Sequence, residues 1–571
     1  MYIRRVSRKN KDGSVVTYVQ LAHNVRDPQT GTPKAQVLYS FGRADQLDID
    51  ALKRLAKSIS RFLSPEDALQ VEAELKGNHG IRFLRSRPMG GAWVLDALWK
   101  SLGVDKVFER LLEERCVRSP VERAIFSMVA NRALAPGSKR RVESWVRHDV
   151  VIPGVDGIPL HQLYRAMDVL LEAEAEIQKE LYFQLADLLN LEVDLLYFDT
   201  TSTYFEIEEI ESEPDDGAQE ESQRQERPKT LRRFGHSKDH RPDLPQVVIG
   251  LAVTRDGIPI RCWVWPGNTT DMTVIGQVKD DLIGWKLGRV IAVVDRGFSS
   301  EENLRALQRA GGHYIAGERM RSGKEDVEQA LSRQGRYQTV RENLHVKEII
   351  IGDGEARRRY ILVRNPEQAE RDRLQRERLI ETLEMELSQL KDLDANRHTK
   401  AVCALMSHPV YGRYLKQTKT GKLSIDRAKV KAEERFDGKY LLRTSDDTLT
   451  AEDVALGYKQ LIEVEAAFRT LKHSLDLRPM YHRIDDRIRS HVLLCWLALL
   501  LVRIVELKTK RSWPEVREEL QRMHLGEFLA DDHRVLQRTE TTKAQAEIFG
   551  AMGISEPPRF AQIELQGAQT A

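Results

Sequence analysis

Cysteine is scarce. The four in 571 residues, Cys116, Cys262, Cys403 and Cys495, lie far apart and form no CxxC pair. Neither a disulfide framework nor a structural zinc site is expected from such spacing. Charge of one sign is also missing: 89 Lys and Arg stand against 87 Asp and Glu, a formal net charge of +2. A nucleic-acid partner therefore has to be argued from local patches, not from the whole-chain balance. Long apolar runs are absent too. The longest, Val492–Val502, is closed by Arg503 and is too short to span a bilayer, so it reads as a buried core helix. The first ten residues, MYIRRVSRKN, lack the apolar stretch of a secretory signal. A cytoplasmic protein with no membrane partner is expected.

What is present is 41% hydrophobic and 31% charged residues over a length of several domains. Residues 1–80 read as a small β/α unit. Their start alternates apolar and polar positions and carries Arg4, Arg5, Arg8, Lys9 and Lys11. From 81 to 190 the spacing of Leu, Ala, Glu and Arg is helical, a region expected to bind DNA. At Val193 the period changes. VDLLYF, QVVIGLAVT, IPIRCWVW, VIAVVD and HYIAG read as strands within 191–317, with Asp256-Gly257 as a hairpin turn and Asp271 opening a helix. An acidic stretch at 206–230 has few large apolar residues and reads as a loop. Residues 318–445 interrupt this pattern with strands and a charged helix at 366–393. A helix around 458–475 follows, and 511–571 reads as a helical tail that is weakly ordered beyond about residue 540. The fold class is a mixed α/β sheet preceded by a small β unit and a helical region.

Three acidic residues carry the chemistry. Asp199 and Asp295 each close an apolar strand, and the carboxyl ends of strands in an α/β sheet face the ligand crevice. The third is Glu465, on the helix YKQLIEVEAAFRTLKHSL. Leu461, Val464, Phe468, Leu471 and Leu475 make its buried stripe. Tyr458, Glu465 and Lys472 are seven positions apart and share a face, whereas Glu463 points away. Carboxylates without a His/Cys cluster suit Mg²⁺, or Mn²⁺, better than Zn²⁺. Two such ions can activate the attacking oxygen and stabilise the leaving oxygen in phosphodiester chemistry.

With the stretches GHSKDHRPDLPQVVIGL, VVDRGFSSEENL and VEAAFRTLKHSLDLRPMYHRIDDRIRSHV, these residues resemble insertion-sequence transposases of the DDE type. The resemblance is to the subgroup whose third motif runs Tyr, two residues, Arg, three residues, Glu, six residues, Lys. Tyr458, Glu465 and Lys472 match it, and Leu461 stands where that subgroup has Arg. The resemblance implies a ribonuclease-H-like core at 191–317 and 446–510, with an insertion domain at 318–445 between them. It implies that Asp199, Asp295 and Glu465 bind the metal and catalyse cutting of transposon ends and joining of the 3′-OH to target DNA. It also implies Tyr458 and Lys472 on DNA phosphates, and a homodimer on double-stranded DNA in a bacterial cytoplasm or nucleoid. Local basic residues extend the expected DNA contacts to His236, Lys238, Arg296 and Arg469. The rivals are a metal-dependent nuclease without strand transfer and a catalytically inactive DNA-binding descendant.

Overall fold

A computed structural model describes the chain apart from residues 12, 27–31, 61, 63–80, 116–119, 189–194, 207–229, 286–289, 391–394, 419–421, 531–532 and 566–571. The acidic loop expected at 206–230 falls almost wholly outside the described residues, as does Cys116. The chain divides into two units. One holds Met1–Ser86, Gly526–Gln537 and Phe560–Ala571; the other holds Arg87–Leu525 and Arg538–Arg559.

The first unit begins with β1 (Tyr2–Lys9), β2 (Val15–Arg26) and β3 (Pro33–Arg43), an antiparallel sheet in that order, followed by α1 (Ile49–Ser60) and β4 (Arg82–Pro88). The apolar–polar alternation of 1–45 is the cause of this sheet. The expected boundary at 80 is not where this unit ends, because strands from the far end of the chain join β4.

The second unit opens on six helices: α2 (Gly90–Ser101), α3 (Val104–Glu114), α4 (Val121–Leu134), α5 (Lys139–His148), α6 (Leu160–Glu172) and α7 (Glu174–Leu188). Next come β5 (Leu195–Tyr204), β6 (Gln246–Val253), β7 (Pro259–Pro266), α8 (Asp271–Ile283), β8 (Ile291–Val294), α9 (Glu301–Gln308) and β9 (His313–Glu318). The segment expected as an insertion holds α10 (Glu325–Ser332), β10 (Gln338–Arg341), β11 (Leu344–Ile351), β12 (Arg358–Arg364), α11 (Pro366–Gln389), α12 (Ala395–Ser407), β13 (Leu415–Gln417), β14 (Leu423–Ile425), α13 (Arg427–Glu433) and β15 (Lys439–Thr444). Then follow α14 (Ala451–Lys459), α15 (Ile462–Arg469), α16 (Asp485–Thr509) and α17 (Trp513–Gln521). The chain ends with β16 (His524–Ala530), β17 (His533–Arg538), α18 (Lys543–Met552) and β18 (Phe560–Leu565). The expectation of a helical tail is therefore corrected: three of its elements are strands. Strands β18, β17, β16 and β4 form a four-stranded sheet in that order.

One nine-stranded mixed sheet dominates the second unit, in the order β10-β11-β12-β15-β9-β8-β5-β6-β7. Strands β5, β8 and β9 run parallel, and the others pair antiparallel. The α/β class expected from the sequence is what forms. The interruption at 318–445 is not wholly a separate body, since β10, β11 and β12 extend the same sheet. Only α11 to β14 stand off, around their own core of Ile380, Leu383, Val402, Tyr414 and Leu415. Trp263 and Trp265 are core residues, packed with Phe198, Trp285 and Phe298.

The run Val492–Val502 forms the centre of α16, the one described helix long and apolar enough to cross a membrane. Within its apolar window 83% of residues are buried inside the protein. The helix is apolar all round because α4, α6 and β7 surround it. The helical region at 81–190 thus shares a core with residues 300 positions later, and no boundary between units lies near 190.

Candidate active site

Strand pairing brings two carboxylates together. The parallel register of β5 and β8 ends at Phe198 beside Val294, so the next step sets Asp199 beside Asp295. Asp199 does not end its strand, as the sequence suggested. Strand β8 turns away at Asp295 into a short 3₁₀ turn, while β5 keeps its antiparallel partner β6 as far as Tyr204. Asp199 therefore marks the end of parallel pairing, which is where a crevice opens.

The helix expected around 458–475 is broken. A capping box of Thr450 and Asp453 starts α14, which stops at Gln460; α15 begins at Ile462, and Thr470–Ser474 form a π-helical turn. The Tyr197 hydroxyl of β5 donates to Gln460 Oε1 at 2.7 Å, pinning the break to the sheet. The apolar stripe is buried as the spacing implies. Glu463 turns to Arg503 of α16, 2.9 Å away. Glu465 is exposed, and no described residue gives its carboxylate a hydrogen bond or ion pair.

Asp199, Asp295 and Glu465 line one cleft of about 910 Å³, with Arg296, Arg319, Tyr458, Lys459 and Leu461. Burial pushes the Asp199 carboxyl up to about 6; Lys238 and the Thr200 amide pull against this, while Asp271 and Asp295 add to it. The Lys238 ammonium donates to the Thr200 carbonyl at 2.8 Å and to its hydroxyl at 2.7 Å. It lies 3.2 Å from Asp271 and 3.9 Å from Asp199. The Thr200 hydroxyl in turn donates to Asp271. On the other side the Tyr458 hydroxyl donates to Asp295 Oδ1 at 2.9 Å. Burial and the Asp295 charge keep that phenol protonated.

Gly317 makes the Tyr458 contact possible, because a Cβ there would strike the Tyr458 hydroxyl and crowd the Arg296 amide. Gly317→Ala is expected to displace Tyr458 and to slow catalysis about tenfold, the worth of one hydrogen bond to a charged group. Tyr458→Phe should match it in a cleavage assay. Wild-type rates in Gly317→Ala would show that the contact is dispensable.

Residues 3–70 match the model of the IS1634 family transposase N-terminal domain, and residues 222–501 match that of the transposase DDE domain. The chain belongs to the DDE-type insertion-sequence transposases. Asp295 and Glu465 lie within the second match, and Asp199 precedes it. No curated protein matches the transposase in sequence. A solved structure of the piggyBac transposase synaptic complex with hairpin DNA is similar at 10% identity, over 71% of this chain and 70% of that one. Its TM-score is 0.33, too low to carry an argument.

The basic residues of this transposase divide into two groups. Arg296 and Arg469 are exposed, the first on the cleft, and His236 is exposed beside β6. Lys472, expected on the DNA surface, turns inward instead, whereas Lys238 is exposed. Lys238 sits among the cleft carboxylates. Lys472 donates to Asp239 at 2.6 Å, and Arg478 donates to the same oxygen at 2.5 Å. Burial lowers the Lys472 pKa and Asp239 opposes that shift. Sequence reasoning missed both acids. Asp271 was read as a helix cap, yet Thr270 holds that position. Asp239 was passed over inside GHSKDH. Asp239→Ala should strand two partly buried cations and cost about 3–5 kcal/mol in thermal unfolding. An unchanged Tm would contradict the clamp.

Among the described residues, no three His, Cys, Asp or Glu side chains gather closely enough to hold a metal ion. Asp199 and Asp295 stand side by side, and Glu465 lines the cleft without joining them. This donor set still suits a hard divalent cation, which keeps its waters and takes one or two protein carboxylates with a substrate phosphate. The ammonium already drawn against Asp199 and Asp271 shows that the pocket favours positive charge.

Proposed function

We propose that the transposase cuts the ends of its element and joins the freed 3′-OH to target DNA, with Asp199, Asp295 and Glu465 as the ligands of Mg²⁺ or Mn²⁺. The observation that carries this reading is the shared cleft. Three acids separated by up to 266 positions in sequence line it together. When bound, the ions supply Lewis-acid stabilisation to the attacking and leaving oxygens of an in-line displacement. The protein's own groups do the rest. Tyr458 holds the Asp295 carboxylate in one orientation, and Thr200 and Asp271 hold Lys238 against Asp199. Arg296, Arg319 and Lys459 neutralise phosphates along the cleft. Glu465, exposed and without a partner among the described residues, would complete the ligand set with the aspartate pair. The partner is double-stranded DNA, both the element's end and its target, met by a homodimer in a bacterial cytoplasm or nucleoid.

A strand-transfer assay with pre-cut ends and plasmid tests the reading. Joined products are expected in Mg²⁺. Hydrolysis without joining would replace the transposase activity with that of a nuclease. Binding without any cleavage would leave an inactive descendant.

A further inference from the structure

Outside the lining of the acidic cleft, the second unit buries an arginine and a lysine beside two histidines. Arg132 lies on α4, Lys139 is the first residue of α5, His482 lies between the π-helical turn and α16, and His491 lies on α16. Arg132 is 4% exposed, Lys139 3% and His491 6%. The two imidazole rings are 5.2 Å apart between centroids. The Arg132 guanidinium donates to the backbone carbonyls of Asp476 and Gly137. Its Nε and the His491 Nδ1 are buried without an acceptor in the protein. The Lys139 ammonium makes no hydrogen bond or ion pair with any described residue.

The charges that act on the two histidines are all positive, whereas Lys139 feels Arg132 and, with opposite sign, Cys495, which itself feels Asp476. Arg132 acts on Lys139; Lys139, Arg132 and Arg487 act on His482; Lys139, Arg132 and His482 act on His491. Cys495 is the remaining titratable neighbour, its sulfur 3.9 Å from His491 Nε2. Burial first, and these neighbours second, push Lys139 down to about 7 and His482 down to about 4. Arg487 is already paired with Asp168 at 2.9 Å. Two buried cationic side chains together, Arg132 and Lys139, are costly unless a counter-ion completes them. The N-terminus of α5, capped by Ser138, adds its own positive end beside Lys139. His482 is half-buried and flanked by exposed Tyr481, Arg483 and Ile484, so the cluster reaches the surface there.

We propose that Lys139, Arg132, His482 and His491 form a binding site for a phosphate group, separate from the catalytic carboxylates. A tetrahedral oxyanion supplies the acceptors that Lys139 and Arg132 Nε lack, accepts from His491 Nδ1 in the tautomer that carries its proton there, and offsets the repulsion between Lys139 and Arg132. The phosphate comes from the backbone of bound DNA or from free inorganic phosphate. Only the DNA source rests on the function proposed above.

Thermal unfolding of the full chain in chloride and in inorganic phosphate, at matched ionic strength, tests the site. Wild type should gain about 2 °C or more in phosphate at tenfold excess over its Kd. Lys139→Met should lose that gain and unfold in chloride no earlier than wild type, since it removes a desolvated ammonium that has no acceptor among the described residues. His482→Gln, at the half-buried edge, should weaken the gain without changing the fold. A second arm measures binding of a fluorescein-labelled duplex against salt. Loss of one phosphate contact in Lys139→Met should lower the slope of log affinity against log salt by about 0.9. A lost phosphate response with an unchanged slope assigns the site to free phosphate, and a lowered slope assigns it to DNA. This DNA arm does not depend on cleavage, so failure of the catalytic reading leaves it interpretable. Three results overturn the proposal: an equal phosphate gain in wild type and Lys139→Met, early unfolding of Lys139→Met in chloride, or no response in either arm.

Discussion

Asp199→Asn is expected to lower DNA cleavage by about 10³-fold or more and, at the same time, to raise the melting temperature at pH 8. The two effects share a cause. Burial beside Asp271 and Asp295 raises the Asp199 carboxyl to about 6, whereas the unfolded chain has it near about 3.9. Between those values the native state binds more protons than the unfolded one, so stability falls as pH rises through that window. Above about pH 6 the full penalty is present, up to about 3 kcal/mol for a shift of this size. Asparagine removes the charge and so removes the penalty. Melting curves of wild type and variant should therefore converge below about pH 4 and separate by several degrees at pH 8. A variant no more stable than wild type at pH 8 would show that the carboxylate is not strained.

Glu465→Gln should lose cleavage to the same extent with no change in melting temperature at pH 8. Its carboxylate is exposed and has no partner among the described residues, so the fold gains little from its charge. The contrast between two inactive variants, one stabilised and one neutral, separates a metal-ligand role from damage to the fold. If Glu465→Gln cleaved normally, the third acid would have to be sought elsewhere on the cleft.

Much of this site was legible in the sequence, and the reasons differ from residue to residue. Apolar runs of strand length place Asp199 and Asp295 next to buried segments, and the stripe from Leu461 to Leu475 turns Glu465 to the edge of the core. Local pattern reports burial well because burial has a period. It reports pairing poorly. That β5 continues past Asp199 depends on β6 outlasting β8 as a neighbour, which no local window contains. The break at Gln460 depends on Tyr197, 263 positions away in sequence. Lys472 looks like a surface cation because the partner that draws it inward, Asp239, is set by tertiary contact, and a contact of the same kind ties exposed Lys238 to Asp271. Asp271, at a helix start, is indistinguishable by type from an ordinary cap. The joining of β10, β11 and β12 to the central sheet was hidden for the same reason: sheet order is not written in any one strand.

The central claim is that Asp199, Asp295 and Glu465, which line one cleft, act as one divalent-ion centre. Calorimetric titration of Mn²⁺ into the full-length protein bound to a pre-cut duplex end tests it most directly, with Asp199→Asn, Asp295→Asn and Glu465→Gln alongside wild type. The account requires all three substitutions to weaken Mn²⁺ binding about tenfold or more, as loss of a ligand from a carboxylate site should. Wild-type Mn²⁺ affinity in any one of the three, with cleavage intact, would contradict it.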